Sequence, residues 1–485
     1  MDFTSFLFLF LFMPLIVIFF FMAEQRFRPF ILIIASLIFY LWGRHSSVEI
    51  ILSVVIVNFV LGWWIENWRS TPRARIALLV GIGINLTILV LYKLLSVYSP
   101  ALVVGSIKKF LPFFIEGWLL KLVFPIGLSY VTFQAISYLV DVYKGICPSE
   151  RNFLRFCLYI FFFPKILTGP ITLYRSMRNQ LTSPALEVQN VANGLRRFAI
   201  GMAKKVLIAD QLASVVNAAF GLETPNFSPG IAWLALVGFA LQLYFDFSGY
   251  IDMALGLAQA LGFQLPENFN FPYVSRSVGE FWRRWHMTLA AWFREYVFYP
   301  LERRRLPVWG QQINILIVFL LTGLWHGITL PYLLWGLIHG IAISLESLSF
   351  GRWLRQTWRP IQHLYTLSVI LFSWIFFRSN NVAFAWLFLK RLFGDLNGIT
   401  VLPFSTTMPL PFIQPTFLLA LALGLLFSFP ISDWFAGLRD NMISRRPMWA
   451  FPIQVISDGL LLVVLWASVA ALAAGSFSPG IYDKF

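Results

Sequence analysis

The chain has 485 residues, of which 59% are hydrophobic and only 12% charged, with a mean hydropathy of +0.74. A soluble chain would carry about twice that share of charge, so a soluble globular fold is excluded. The formal charge of +15 is spread through short loops between apolar runs rather than gathered on a solvated domain, which argues against nucleic acid as a partner. Residues 1–22 read as a first span and not as a cleavable signal. Asp2 stands where a basic region belongs, and no small-residue cleavage site follows. Further apolar runs occupy residues 30–42, 48–64, 76–95, 118–140, 153–170, 231–247, 313–326, 331–345, 364–377, 416–428 and 455–474, with connectors at 304–308 and 351–360. Several runs are short or interrupted. The pattern therefore predicts an all-α polytopic membrane protein of about ten to twelve spans with added interfacial and broken helices. No hydrophilic block is long enough for a soluble domain, so residues 1–485 read as one membrane-embedded unit. Within it, 1–115 hold N-terminal spans, 116–345 the core motifs and 346–485 C-terminal spans.

Arginines mark the loops: Arg26 and Arg28 in the first, Arg44 in the second, and Arg69, Arg73 and Arg75 in the third. The positive-inside rule then places the N-terminus outside and loops one and three in the cytoplasm. Arg196, Arg197, Lys204, Lys205 and Arg303–Arg305 extend the same face. These charges set topology and attract anionic membrane lipid; a second reading is recruitment of an acidic cytoplasmic donor such as a nucleotide-bearing thioester.

Familiar site patterns are missing. There is no Walker A loop, no H-E-x-x-H helix and no G-x-S-x-G elbow, and no metal site is expected. Cys147 and Cys157 match no zinc or redox spacing and make poor candidate nucleophiles. Asn85-Leu-Thr87 reads as a glycosylation sequon but falls inside an apolar run. No inverted repeat of the transporter kind is visible.

Polar chemistry begins at Asp246, which ends a long apolar run. Asp246 with Tyr250, and Ser248 with Asp252, stand at i and i+4 and can pair. A buried carboxylate needs a partner, so Asp246 reads as a knot to a basic neighbour or as a direct participant. Ser277 caps a helix with Glu280 three residues on. Beyond it, Trp282, Trp285, Trp292, Phe293 and Tyr296 alternate with Arg283, Arg284 and Arg294, a composition suited to an interfacial helix. On a continuous helix Arg283 and His286 share a face, so His286 is either a headgroup-level histidine or part of a site. His326 lies in Leu321-Thr-Gly-Leu-Trp-His-Gly327, and an ionisable residue at membrane depth is a functional candidate by default. The apolar stretch 313–345 is too long for one span, so two helices should meet near His326, broken before Pro331, with Gly323 and Gly327 allowing close approach. His339 reads as helix packing; His45 and His363 are interfacial.

Seven stretches carry a resemblance. They are Pro125–Gly145, Phe163–Ile171, Gly201–Ala213, Tyr244–Ala254, Pro266-Glu-Asn-Phe-Asn270, Glu280-Phe-Trp-Arg-Arg-Trp-His286 and Leu321–Gly327. In this order they resemble the membrane-bound O-acyltransferase family, in the branch of alginate O-acetyltransferase membrane subunits. The resemblance implies spans around a central tunnel that carries an acyl group from a cytoplasmic thioester to an extracytoplasmic acceptor. It implies His326 as the catalytic general base and His286 as the group that orients or polarises the thioester carbonyl. Arg283, Trp325 and Asp246 become candidate substrate contacts, with Arg283 holding acidic parts of the donor. It further implies acetyl-CoA as donor substrate without a permanently bound cofactor, and location in the cell inner membrane. The acceptor would be a polysaccharide such as alginate, reached with an extracytoplasmic SGNH-hydrolase-like partner. D-Alanyl transfer to teichoic-type polymers is the alternative, because those enzymes share the Trp-Arg-Arg-Trp-His and Trp-His-Gly motifs. A polysaccharide transporter and a secretion scaffold are the non-enzymatic readings.

Overall fold

The computed structural model describes residues 1–42, 48–97, 125–182, 184, 186–395 and 413–475; His45 lies outside them. The regular elements among the described residues are all helices, without strands. They fall into two compact units, one of Met1–Leu195 with Met253–Pro266, the other of Arg196–Asp252 with the residues from Glu267 on.

In the first unit, α1 (Phe8–Met22) and α2 (Arg28–Leu41) are short apolar helices, and α3 (Val48–Asn67) and α4 (Pro72–Val97) are long enough to span. Asn58 of α3 and Asn85 of α4 exchange amide hydrogen bonds at 3.1 and 2.9 Å, so the sequon asparagine is consumed in helix packing. The largely buried α5 (Leu128–Tyr143) lies against both; its Tyr138 ring fills the space a Cβ on Gly62 would need. The expected span 153–170 is corrected. Helix α6 (Phe153–Phe161) ends ahead of Pro164, whose ring disfavours a helical Phe163 and which has no N–H to give, and 162–170 run as turns.

In the second unit, α7 (Val188–Ala203, contributing from Arg196) passes through a π-turn into α8 (Asp210–Phe220). Next come α9 (Pro229–Ala260), the short α10 (Val278–Arg284) and α11 (Met287–Phe293), then the pair α12 (Gly310–His326) and α13 (Leu330–Glu346). Helix α14 (Ser349–Gln356) replaces most of the connector expected at 351–360 and bends 77° from α13. Helices α15 (Arg359–Arg378), α16 (Val382–Leu392), α17 (Pro415–Phe427), α18 (Ile431–Arg445) and α19 (Ala450–Ala473) complete the described chain. Proline occupies the first turn of α2, α13, α15 and α17, where its missing N–H costs nothing. By length and composition, five described helices can cross a membrane, or up to seven if each bent pair is one span.

Candidate active site

His326 closes α12, and Gly327 leaves the helix with extended backbone before Pro331 restarts it as α13. The hairpin foreseen from sequence is present, and glycine sets how tightly it closes. A Cβ on Gly323 would lie 2.5 Å from the Tyr332 carbonyl oxygen, and one on Gly336 would lie 2.3 Å from that of Phe319. Backbone therefore touches backbone. The close approach holds the His326 ring, 4% exposed, edge-on to Trp335 and Phe377, with centroids 5.0 Å away in both cases. Tyr332 stacks at 6.4 Å and Trp325 packs at 4.5 Å. The imidazole stands in a box of aromatic rings.

Trp325 also packs against His286 at 6.2 Å, so one indole lies against both histidines named from sequence. The route by which His286 arrives differs from expectation. Ser277 does cap α10 by accepting from the Glu280 N–H at 3.0 Å, while Glu280 reaches back to the Arg276 N–H at 3.0 Å. The helix then stops at Arg284, and His286 sits in left-handed backbone at φ 43° before α11 begins. Arg283 and His286 are thus not on one continuous helix face, which corrects the i, i+3 reading. The cause is the loop Glu267–Asn270 running beside the break. Asn270 N–H donates to the Arg284 carbonyl at 2.9 Å, Met287 N–H to the Asn268 carbonyl at 3.0 Å and Thr288 N–H to Asn268 Oδ1 at 3.0 Å. Asn268 is the cap that α11 lacks locally, and it offsets the cost of about 1–2 kcal/mol for a non-glycine left-handed residue. His286 itself is 1% exposed, its ring edge-on to Phe247 at 4.9 Å.

His339 is the packing residue expected. The Trp282 indole N–H donates to its Nδ1 at 3.2 Å, so its proton is on Nε2, which donates to Ser373 Oγ at 2.9 Å; Ser373 in turn donates to the Ile370 carbonyl at 2.8 Å. Both ring nitrogens are committed, and the network braces Trp282 and Trp335 behind His326. His363 Nδ1 bonds the Ser275 carbonyl at 3.1 Å.

Asp246 is placed in a buried ion triad: Lys205 Nζ lies 2.7 Å from Asp246 and 2.7 Å from Asp210. The polar knot is the reading this geometry supports. The anticipated Ser248–Asp252 pair does not form, because Asp252 binds Arg197 at 2.9 Å and Lys204 at 2.6 Å, full charges that outcompete a hydroxyl.

Arg283 is exposed at the rim of a cavity of about 710 Å³ that Arg276, Arg355 and Arg359 also line. None of the four forms an ion pair among the described residues, and Glu346 is occupied accepting from Val278 and Gly279 N–H at 2.6 and 2.9 Å. A second, mainly apolar cavity of about 320 Å³ shares Gly279, Arg283, Ile315 and Ile343 with the first and reaches Thr322, one turn before His326 on α12. Sequence reasoning missed Arg276, Arg355 and Arg359, the ring box of Tyr332, Trp335 and Phe377, and Asn268. Only Asn268 had a visible signal, its place in the motif Pro266–Asn270.

Known proteins supply the remaining findings. The family model of the membrane-bound O-acyltransferases matches residues 148–389. A probable alginate O-acetylase AlgI of Pseudomonas putida is 33% identical over the whole of both chains. A peptidoglycan O-acetyltransferase of Helicobacter pylori is 31% identical over 92% of this chain and 85% of its own. A teichoic acid D-alanyltransferase of Bacillus subtilis is 30% identical over 42% of this chain and 54% of its own. With full-length similarity at this level, a helical body of apolar spans and two buried histidines against one tryptophan, the chain belongs to the membrane-bound O-acyltransferase family, and is a multi-pass membrane enzyme that transfers acyl groups to oxygen.

Proposed function

We propose that this enzyme takes an acetyl group from a cytoplasmic thioester, acetyl-CoA, and passes it across the inner membrane for O-acetylation of an extracytoplasmic polysaccharide such as alginate. His326 is the general base. It accepts the proton of a hydroxyl whose oxygen attacks the thioester carbonyl; the tetrahedral intermediate collapses, the C–S bond breaks, and the proton passes to the departing thiolate. A neutral imidazole suits that exchange, and a ring-lined site poor in water suppresses hydrolysis of the thioester.

The observation that carries this reading is the pairing of cavities. Four arginines without carboxylate partners among the described residues surround a space that suits the phosphates of a nucleotide thioester, and an apolar cavity continues from it to within a turn of His326. Acetyl rather than D-alanyl is favoured because the acetylase relatives match along most or all of this chain, the D-alanyltransferase over 42%. The hydroxyl acceptor is the polymer or a relay on an SGNH-hydrolase-like extracytoplasmic partner. By its arginine loops the N-terminus lies outside and the donor cavity faces the cytoplasm. His326→Ala should abolish polymer acetylation in a complemented deletion strain while the protein accumulates normally. Near-normal acetylation by a well-expressed variant refutes the assignment.

A further inference from the structure

Asn268 is fully buried, and its Oδ1 receives the Thr288 backbone N–H at 3.0 Å and the Thr288 hydroxyl at 2.8 Å. A backbone N–H can only donate, so the atom it meets must be the amide oxygen and not the nitrogen. That same oxygen lies 3.2 Å from His286 Nδ1. An acceptor there requires the proton of neutral His286 to be on Nδ1, which leaves the lone pair on Nε2. We infer that Asn268 is a positioning residue of the acyl transfer: it locks His286 in the Nδ1–H tautomer and in its left-handed backbone, so that Nε2 presents a proton acceptor to the reactants. The inference rests on the reading of His286 as part of the site, and it reverses the direction of its hydrogen bond. A neutral His286 in this tautomer cannot donate from Nε2 to a thioester carbonyl, the role that the family resemblance implied for it. It accepts a hydrogen bond, as from an acceptor hydroxyl or a thiol.

The choice of asparagine over aspartate fits this role. Asn268 Nδ2 has no hydrogen-bond partner among the described residues, and an aspartate would set a charged oxygen in that buried place at greater cost. A carboxylate would supply the same acceptor but would also stabilise imidazolium, whose Nε2 carries a proton and can no longer accept. The amide fixes the tautomer without charging the ring. Phe247 and Trp325, the rings packed on His286, add no charge of their own.

The test uses full-length enzyme in liposomes with a labelled acetyl thioester as donor. Asn268→Ala frees the imidazole to exchange tautomers and should lower kcat by about 10²-fold or more with little change in the KM for the donor. Asn268→Asp retains the oxygen but favours imidazolium, so it should also be slow near neutral pH and regain rate as rising pH deprotonates the ring. Added to His286→Ala, Asn268→Ala should cause no further loss, because there is no tautomer left to set. Wild-type kcat in a folded Asn268→Ala overturns the inference. So does an Asn268→Asp enzyme that keeps wild-type thermal stability and wild-type kcat at neutral pH. Full activity in His286→Ala alone would instead overturn the reading of His286 on which it rests.

Discussion

The tight hairpin of α12 and α13 can be tested with one methyl group. In Gly323→Ala the new Cβ would stand 2.5 Å from the Tyr332 carbonyl oxygen and 3.2 Å from its carbon, with Leu333 Cα at 3.5 Å. These are backbone atoms and cannot rotate aside. Reaching even tight van der Waals contact requires the helices to part by about 0.7 Å, an overpacking cost of about 1–3 kcal/mol. The part of α13 that must move carries Tyr332 and, one turn on, Trp335, two sides of the ring box around His326. Displacements of about 1 Å in a catalytic group cost roughly 10²-fold in rate, so transfer from a labelled acetyl thioester should fall by one to two orders of magnitude. Gly83→Ala is the matched control. Nothing lies within 4 Å of the Cβ it adds to α4, and it should gain about 0.5–1 kcal/mol in helix propensity with activity intact. Wild-type activity and thermal stability in Gly323→Ala would refute the claim that glycine contact positions His326.

Lys205→Met strands Asp246 and Asp210 in the interior and should cost about 3–5 kcal/mol, read as lost accumulation and a lower Tm in detergent, whereas replacing all three charges together should restore most of it. Burial, with Asp141 nearby, pushes the Cys147 thiol up to about 12, so it is protonated and unreactive at neutral pH; Cys147→Ser with Cys157→Ser should keep most of the activity, and acyl label trapped on either cysteine would end the direct-transfer scheme. In that cysteine-free background, a cysteine at Arg73 should resist a membrane-impermeant thiol reagent in intact cells, and labelling there would invert the proposed topology.

Features set by local spacing were legible in the sequence. Apolar runs marked most helices, Pro331 and the flanking glycines marked the hairpin, and Ser277 with Glu280 marked the start of α10. His339 as packing and Asp246 as a knot to a basic neighbour were legible too. Features set by partners far along the chain stayed hidden. Trp282 to Tyr296 has good helical composition, yet the helix breaks at His286 because Asn268, 18 residues earlier, takes the N–H groups of the turn beyond it. Spacing alone assigns Asp252 to Ser248, but Arg197 and Lys204 come from another helix with full charges. The cavity arginines stand on three separate helices and their flanks, so no run of basic residues announced them. The span at 153–170 and the connector at 351–360 failed for the ordinary reason that one proline, or one amphipathic turn, decides a boundary that average hydropathy cannot see.

Three buried histidines in the second unit show how the same side chain is put to different uses by its surroundings. His339 receives a proton contact on one nitrogen and gives one from the other, and both partners are fixed side chains, so its ring has nothing left to exchange with a substrate. His286 is tied at Nδ1 by an uncharged oxygen, which sets the orientation of Nε2 without settling the proton there permanently. His326 is packed among rings: Trp325, Trp335, Phe377 and Tyr332 restrain its plane. A general base must be held in place yet gain and lose a proton in each turnover. Ring packing supplies the first of these demands for His326, the base proposed above, whereas His339, with both nitrogens committed to fixed side chains, is left as a packing residue.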